Sequence, residues 1–182
     1  LKDFLKSVME NGMPKYTEYQ IDDAIRNLKN KIELNSGNSQ KLREKNNEVY
    51  KILISGLLAK KTEAGESSRV YLFDFDNPQN NIFSIAEEVS YIDRLKNKNR
   101  RPDIVVYVNG IALAVIELKK SVVDIKEGIA QHNSNQKDSI PSFFTTTQFC
   151  VVSNKDDFKY ATILTPQEFW CPWKKDTNDT TN

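Results

Sequence analysis

Two carboxylates and one amine are the residues of this chain best suited to chemistry. They are Asp103, Glu117 and Lys119, in the stretch RRPDIVVYVNGIALAVIELKKS (residues 100–121). Glu117 and Lys119 follow an apolar run, where a charge is costly unless something compensates it. One explanation is an ion pair between Glu117 and Lys119 at a strand end. The other is a joint catalytic role of the three groups. Taken alone, the pattern favours the ion pair.

The elements that must position these groups are two strands joined by a tight turn. Residues 104–108 and 111–116 are apolar on both faces, which predicts central strands covered on both sides. Since side chains alternate along a strand, Glu117 and Lys119 are expected on the same face.

The position of Asp103 depends on the register of this hairpin. A strict two-residue turn at Asn109-Gly110 pairs Val108 with Ile111 and places Asp103 on the face opposite Glu117. A three-residue loop with Gly110 in the left-handed conformation restores the match, and so does a bend at Pro102. A joint role for the three residues therefore predicts a bulged turn or a bend.

Periodicity in the rest of the chain predicts a mixed α/β domain with one central sheet. The predicted helices are 18–34, 47–60 and 121–137, with an exposed polar connection between the first two (34–47). The predicted strands are 69–75, 82–92 (one strand or two short ones), 145–153 and 159–164, before an aromatic segment at 167–174.

Composition limits the possible classes of protein. The 182 residues suffice for one core, 38% are apolar and 28% are charged, which excludes a disordered chain. The net charge of +1 means that nucleic acid would have to be bound by local patches. No run approaches the roughly 20 apolar residues of a membrane helix. Two cysteines without a CxxC pair favour a reducing, cytoplasmic location.

The whole segment closely resembles the PD-(D/E)xK nuclease core at the N-terminus of the R subunit of type I restriction enzymes. Upstream, NNEVYKILISGL and VYLFDFDNPQNNIF resemble that family. Downstream, IPSFFTTTQFCVVSN and FKYATILTPQEFWCPWK do so too, so that about residues 44–174 are covered. The resemblance implies a restriction-endonuclease-like core, with a central mixed sheet flanked by helices.

The resemblance also implies roles for individual residues. Asp103 and Glu117 would be catalytic carboxylates that bind Mg²⁺ with the Leu118 carbonyl, and Lys119 would be the catalytic lysine. Hard oxygen ligands suit Mg²⁺, which keeps several waters. The ion would polarise the scissile phosphate and lower the pKa of a bound water, while Lys119 positions that water or stabilises the developing charge.

Many relatives carry a QxxxY motif on the helix after the core. Gln131 matches its first position, but Asn135 stands where the tyrosine would be. An acidic residue of the first helix often completes such sites. Glu18, Asp22 and Asp23 are the candidates, and the sequence does not choose among them.

A basic run with the sequence RLKNKNRR precedes the core, and it holds five Lys and Arg residues between Arg94 and Arg101. It would guide a DNA duplex toward the site, or it is simply a solvated loop. Arg100, Arg101, Lys120 and Gln131 are the candidate DNA contacts. His132 has no ligand partner at a suitable spacing and is expected on a helix surface, and Trp170 and Trp173 are expected to dock the C-terminal segment on the core.

The predicted organisation is an endonuclease domain over residues 1–172. It comprises an N-terminal helical part (1–35), an exposed connection (36–47) and the core (48–172), followed by a polar tail (173–182) that leads to a motor domain. The chain lacks a P-loop, so ATP would be bound only elsewhere in the full-length subunit. Double-stranded DNA and the methyltransferase and specificity subunits are the expected partners, and no membrane is.

Three functions compete. The first is Mg²⁺-dependent hydrolysis of DNA phosphodiester bonds after ATP-driven translocation by the rest of the protein. The second is a catalytically decayed DNA-binding or assembly module on the same fold, which the missing tyrosine motivates. The third is a repair or recombination nuclease of the same superfamily, which the long collinear resemblance disfavours.

Overall fold

The computed structural model describes residues 1–173, so that all but the first residue of the predicted polar tail (173–182) lie outside the described residues. The architecture is a mixed α/β domain around a six-stranded mixed sheet, which confirms the predicted fold class. The helices are α1 (Lys2–Ser7), α2 (Glu18–Ile32), α3 (Ser39–Ser55) and α4 (Ile125–Ser134). The strands are β1 (Met9–Glu10), β2 (Met13–Pro14), β3 (Leu57–Lys60), β4 (Ser67–Val70), β5 (Phe83–Glu87), β6 (Tyr91–Asp93), β7 (Lys98–Arg100), β8 (Ile104–Val108), β9 (Ile111–Leu118), β10 (Phe149–Ser153), β11 (Phe158–Ala161) and β12 (Cys171–Pro172).

The central sheet has the order β12-β11-β10-β9-β8-β5. β9 and β10 pair in parallel, and the remaining neighbours pair antiparallel. A parallel pair needs a long crossover, and here α4 lies within the connection from β9 to β10. β8 and β9 form the predicted hairpin at the centre of the sheet, and α4 crosses next to the end of β9. None of the helices within residues 1–173 is long and apolar enough to cross a bilayer.

The two long helices begin at side-chain caps. The Thr17 hydroxyl accepts a hydrogen bond from the Gln20 amide at 3.1 Å and starts α2, close to the predicted position. Asn38 accepts one from the Lys41 amide at 2.7 Å and starts α3 at Ser39. The predicted exposed connection at 36–47 is therefore mostly helix, since the Asn38 cap and the fully buried Leu42 extend the helical face upstream.

Several other boundaries differ from the prediction. Helix α3 ends at Ser55 because Gly56 adopts a φ of 72°, and residues 57–60 form a strand instead. Within residues 69–75, only 69 and 70 belong to a strand, β4, which pairs with β3 outside the central sheet. The stretch 82–92 contains two short strands, β5 and β6, which was one of the two predicted alternatives.

Two buried clusters hold the domain together. The first joins α1, α2, α3, β3 and β4 to the turn end of the central hairpin and includes Phe4, Ile21, Val49 and Ile111. The second lies between the central sheet and the segments that follow β9, and includes Val115, Ile129, Phe144 and Val152.

The prediction that β8 and β9 are covered on both faces is wrong for the residues described. Val105 and Val115 are fully buried, and Val115 belongs to the second cluster. Val106 and Ile116 on the opposite face are only half-buried. An apolar sequence on both faces predicts burial of both, but within residues 1–173 the second face is only partly covered.

Candidate active site

The turn of the central hairpin is a strict two-residue turn. Val108 pairs with Ile111, and Asn109 and Gly110 both have positive φ values, 53° and 78°, as the turn that joins twisted strands requires. The Asn109 side chain accepts a hydrogen bond from the Ile82 amide and donates to the Leu72 carbonyl, each at 2.8 Å. The turn itself is therefore not bulged.

A β-bulge inside β9 restores the register instead. Tyr107 pairs with Ala112 but Val106 pairs with Ala114, so Leu113 is an extra residue on β9. Beyond the bulge Ile104 pairs with Ile116, and the same register places Asp103 opposite Glu117. The predicted compensation is present, but its position in the strand differs from the turn or bend that was expected.

Asp103 lies at the start of β8 and is fixed to the end of β9. Its Oδ2 atom accepts a hydrogen bond from the Leu118 amide at 2.7 Å. Its backbone carbonyl accepts one from the Glu88 amide at 2.8 Å. The side chain is half-buried. Both contacts keep the carboxylate at the strand end, beside Glu117.

Glu117 is a fully buried carboxyl group. Gln131 Nε2 donates to its Oε2 at 2.8 Å, and Asn135 Nδ2 donates to its Oε1 at 3.2 Å. Burial and the charge of Asp103 raise the pKa of Glu117 to about 7, against the opposing effects of Lys119 and Asn135. Asp103 and Glu117 face each other, and Glu117 is buried. A cation bound between the two carboxylates would therefore be favoured.

Lys119 extends toward α4 and donates from Nζ to the Gln131 Oε1 atom. Its amide donates to the Ser153 carbonyl at 2.8 Å, which fixes the end of β9 to β10. Gln131 therefore bridges Lys119 and Glu117 through its two amide atoms. The ion pair between Lys119 and Glu117 that the sequence allowed is replaced by this bridge.

Asn135 occupies the position at which the motif tyrosine was expected. Asn135 follows Gln131 by four residues, and both side chains reach Glu117, as residues four apart on one helical face can. It is almost fully buried and begins a wider π-helical segment, Asn135–Ser139. The departure from the motif thus retains a polar contact with the carboxyl group.

Gly128 allows α4 to lie this close to the sheet. A Cβ atom at this position would clash with Val152 Cγ1 and would lie 3.2 Å from Lys119 Cγ. Because the valine is branched and packed, any larger residue here would force Val152 or the helix to shift. Gly128 therefore sets the distance at which Gln131 meets Glu117 and Lys119.

The donor atoms at this end of the sheet suit a hard cation. Within residues 1–173, no group of three or more His, Cys, Asp or Glu side chains is arranged to hold a metal ion. Two carboxylates are nevertheless typical for Mg²⁺, which completes its shell with carbonyls and waters. Asp103 and Glu117 fit that description, with the Leu118 carbonyl next to them in the chain.

Comparison with known proteins identifies the family. The family model described as type I restriction enzyme R protein N terminus matches residues 5–169. The chain belongs to this family. The resemblance found in the sequence is therefore confirmed.

Three curated relatives are similar to this chain over more than two thirds of its length. A provisionally named type I restriction enzyme endonuclease subunit of Methanocaldococcus jannaschii is 34% identical over 69% of this chain and 12% of its own length. The HindI endonuclease subunit of Haemophilus influenzae is 29% identical over 71% of this chain and 13% of its own. A Staphylococcus saprophyticus type I endonuclease subunit is 27% identical over 87% of this chain and 18% of its own. The chain thus spans less than a fifth of these relatives.

The candidate DNA contacts of this chain are dispersed around the site. Gln131 contacts Glu117 and so belongs to the site itself. Lys120, which follows Lys119 in the chain, is exposed. Arg101 pairs with Glu88 at 3.2 Å, and the exposed Arg100 side chain donates to the Asn99 carbonyl at 2.9 Å. The structure therefore brings Gln131 to Glu117 and Lys119 and leaves the other three at the surface.

The basic run forms a hairpin rather than a loop. Strands β6 and β7 pair antiparallel, with Tyr91 opposite Arg100 and Asp93 opposite Lys98. The basic residues lie in the turn between these strands and on β7. Fully buried Asp93 accepts hydrogen bonds from the Leu95, Lys96 and Ser142 amides. Strand β7 contacts the segment Asn135–Ser139. We define residues 91–100 as the basic hairpin.

The acidic residues of the first long helix lie elsewhere. Asp22 pairs with Lys2 at 2.6 Å, Glu18 with Lys6 at 3.1 Å, and Asp23 accepts from the Lys60 amide at 2.9 Å. All three are near the first buried cluster, so none of them completes the pair of carboxylates.

His132 is fully buried, and its predicted place on a helix surface is wrong. Its Nε2 atom contacts the Val115 carbonyl at 3.1 Å, its Nδ1 atom contacts Gln136 Nε2 at 3.3 Å, and Trp170 packs against the ring. Burial lowers the pKa of His132 to about 4, so it stays neutral and supports the sheet. Helical spacing relative to Ile125 and Ile129 was the available signal.

Proposed function

We propose that this chain is the endonuclease domain of a type I restriction R subunit and hydrolyses DNA phosphodiester bonds with Mg²⁺. The observation that carries the proposal is the bulge at Leu113. It brings Asp103 opposite Glu117 at the strand end where Lys119 follows. A strand without that extra residue would separate the two acids. The family membership supports the same function.

Asp103 and Glu117 would hold Mg²⁺ together with the Leu118 carbonyl and water. When bound, the ion would polarise the scissile phosphate and lower the pKa of a water molecule. Glu117 would have to be ionised for this, which the cation favours against the effects of burial and Asp103. Gln131 and Asn135 orient the Glu117 oxygens through the hydrogen bonds described above.

Lys119 would place the attacking water or stabilise the negative charge that develops on the phosphate. Its contact with Gln131 Oε1 holds the amine next to Glu117 without an ion pair. The amine thereby keeps its remaining donors available for water or phosphate. The basic hairpin would guide the duplex to the site by neutralising phosphates.

The wider assignment concerns the whole protein. ATP-driven translocation by the remainder of the subunit, a cytoplasmic location, and assembly with methyltransferase and specificity subunits belong to this proposal. The alternative of a decayed binding module rested on the missing tyrosine. The contact between Asn135 and Glu117 supports an intact site instead.

The decisive experiment uses the intact subunit in its restriction complex. We expect Asp103→Ala, Glu117→Ala and Lys119→Ala each to abolish DNA cleavage while ATP hydrolysis and translocation persist, since the changes affect only the hydrolytic site. Lys126→Ala on the exposed side of α4 is the matched control and should cleave normally. Loss of ATP hydrolysis together with cleavage would instead show a structural role.

Metal binding provides an independent check. Titration with Mg²⁺ or Mn²⁺ should show binding that disappears in Asp103→Ala and Glu117→Ala. A crystal soaked in millimolar Mn²⁺ should show density between the two carboxylates. Carboxylates that remain without an ion under those conditions would favour the decayed module.

A further inference from the structure

The central sheet has one covered face and one face that stays largely open. Val105, Val115, Cys150 and Val152 point to the covered face and are fully buried. The register of β5, β8, β9 and β10 places the intervening residues on the opposite side. We define the open face by Ile85, Val106, Ala114, Ile116, Phe149 and Val151.

The open face is apolar and continuous across four strands. Ile85 pairs with Val106, Val106 with Ala114, and Ala114 with Phe149, so these side chains form one row. Ile85 is 66% exposed and Phe149 is 55% exposed. Val151, opposite Ile116, is buried but belongs to neither buried cluster. Contiguous apolar surface of this kind marks an interaction site in a soluble protein.

The catalytic carboxylates do not use this face. Glu117 alternates with Ile116 along β9 and points to the side of α4, where Gln131 and Asn135 contact it. DNA that reaches Asp103 and Glu117 from that side therefore leaves the open face uncovered. A partner on the open face would not block the site.

The course of the chain indicates what covers the face. Strand β11 continues the sheet with Tyr160 opposite Val151, and β12 pairs with β11 at the edge. The Trp173 ring packs against Phe158 and Tyr160, with centroid distances of 5.5 and 5.8 Å. Trp173 is the last residue described, it lies on the open side of the sheet, and it is itself 65% exposed. Trp173 thus lies at the border of the open face.

We propose that the open face is the docking surface for the part of the same subunit that follows residue 182. The three relatives described above are about six to eight times as long as the part this chain matches, since the matched regions make up 12% to 18% of their length. An apolar segment or domain arriving next to Trp173 would bury the row from Ile85 to Phe149. The proposal rests on the proposed function in one respect, namely that this chain is part of a longer R subunit.

Photo-crosslinking in the intact subunit tests the proposal. A benzophenone amino acid is introduced at Ile85 or Phe149, and, as the matched control, at Ile92. Ile92 has the same residue type as Ile85 and a similar exposure (65%), and it also lies in an antiparallel strand, on the basic hairpin. We expect Ile85 and Phe149 to give intramolecular adducts with peptides beyond residue 182, several-fold more abundant than those from Ile92.

Each other outcome overturns the proposal. Adducts of twice the subunit mass would make the face an interface between two copies, and adducts with a different polypeptide would assign it to a partner subunit. Absence of adducts from both positions would show that the face stays exposed to solvent. Crosslinking does not depend on hydrolysis. The docking proposal can therefore be overturned while the catalytic variants behave as expected, and the proposed function can be overturned while the crosslinks form as expected.

Substitution gives a second measurement. Ile85→Asp should weaken docking and increase the rate at which protease separates this domain from the rest of the intact subunit, several-fold relative to Ile92→Asp. Both variants keep the buried clusters intact, because neither side chain belongs to them. Equal rates for the two variants would contradict the proposal.

Discussion

Glu117 carries a buried carboxyl group whose ionisation is opposed by its surroundings. Its pKa is about 4.5 in an ordinary environment and about 7 here, because of burial and the nearby Asp103. The folded, metal-free protein therefore holds this proton more tightly than the unfolded chain. The resulting contribution to the free energy of unfolding is full below about pH 4.5 and is lost as the pH rises through about 7.

We therefore predict that Glu117→Gln stabilises the metal-free protein at pH 8. The difference in unfolding free energy between variant and wild type should be small at pH 5. At pH 8 it should favour the variant by an amount on the order of a few kcal/mol, as one pKa unit corresponds to about 1.4 kcal/mol. Thermal or denaturant unfolding in EDTA at both pH values measures this. A difference independent of pH would mean that Glu117 ionises normally, and Mg²⁺ should stabilise only the wild type.

Asn135 illustrates a role that a residue type alone does not reveal. A mismatch to the motif suggested a damaged site, but its amide donates to the Glu117 Oε1 atom. Spacing of four residues from Gln131 was the usable signal. The sequence did not predict how closely α4 approaches the sheet, which depends on the close approach of Gly128 to Val152.

We expect Asn135→Ala to lower the cleavage rate of the intact complex and to weaken Mg²⁺ binding, because Glu117 then loses one of its two hydrogen-bond donors. The metal-bound site should need a higher Mg²⁺ concentration for half-maximal cleavage, and Asn135→Gln should recover part of the activity. Asn47→Ala, on the exposed face of α3, is the control. An unchanged Mg²⁺ dependence in Asn135→Ala would exclude this positioning role.

The hairpin of β8 and β9 was predicted from the sequence except for the position of its bulge. The apolar runs and the Asn109-Gly110 turn predicted both strands, and alternation predicted that an extra residue was needed to align Asp103 with Glu117. The position of that residue was not predictable, because the bulge at Leu113 has no glycine or proline to mark it. The side chain packs against the first buried cluster, which is a tertiary cause.

Deletion of Leu113 tests the register directly. The shortened β9 would pair regularly with β8, and Asp103 would then face away from Glu117. We predict loss of cleavage with the secondary structure retained, measured by circular dichroism and by cleavage in the intact complex. Leu113→Ala is the matched control, since it removes the packing but keeps the extra residue. Cleavage by the deletion variant would show that the bulge does not position the acids.

At the scale of the whole molecule, the net charge of +1 gives no indication of a DNA-binding surface. The basic hairpin concentrates exposed cations next to the segment that follows α4, and Asp93 fixes its base. Uncovered apolar surface was equally invisible in the sequence, since strands that are apolar on both faces indicate burial on both. Within residues 1–173 the second face is only partly covered.

The hairpin predicts a measurable salt dependence. We expect Lys98→Ala with Arg100→Ala to weaken DNA binding by the intact complex. The slope of log K against log salt should become shallower by about one for each phosphate that the variant no longer neutralises. Lys31→Ala with Lys51→Ala removes the same charge from exposed positions on α2 and α3 and is the control. Equal slopes for the two double variants would indicate that the hairpin is only a solvated turn.

The two cysteines differ sharply in access, and this gives the molecule a natural reporter. Cys150 is buried in the sheet, and burial raises the pKa of its thiol well above the usual range, so alkylating reagents should not reach it. Cys171 is exposed on β12, opposite Tyr160. Modification of the Cys171 thiol, followed by peptide mass, would therefore record whether the border beside Trp173 is shielded in the intact protein.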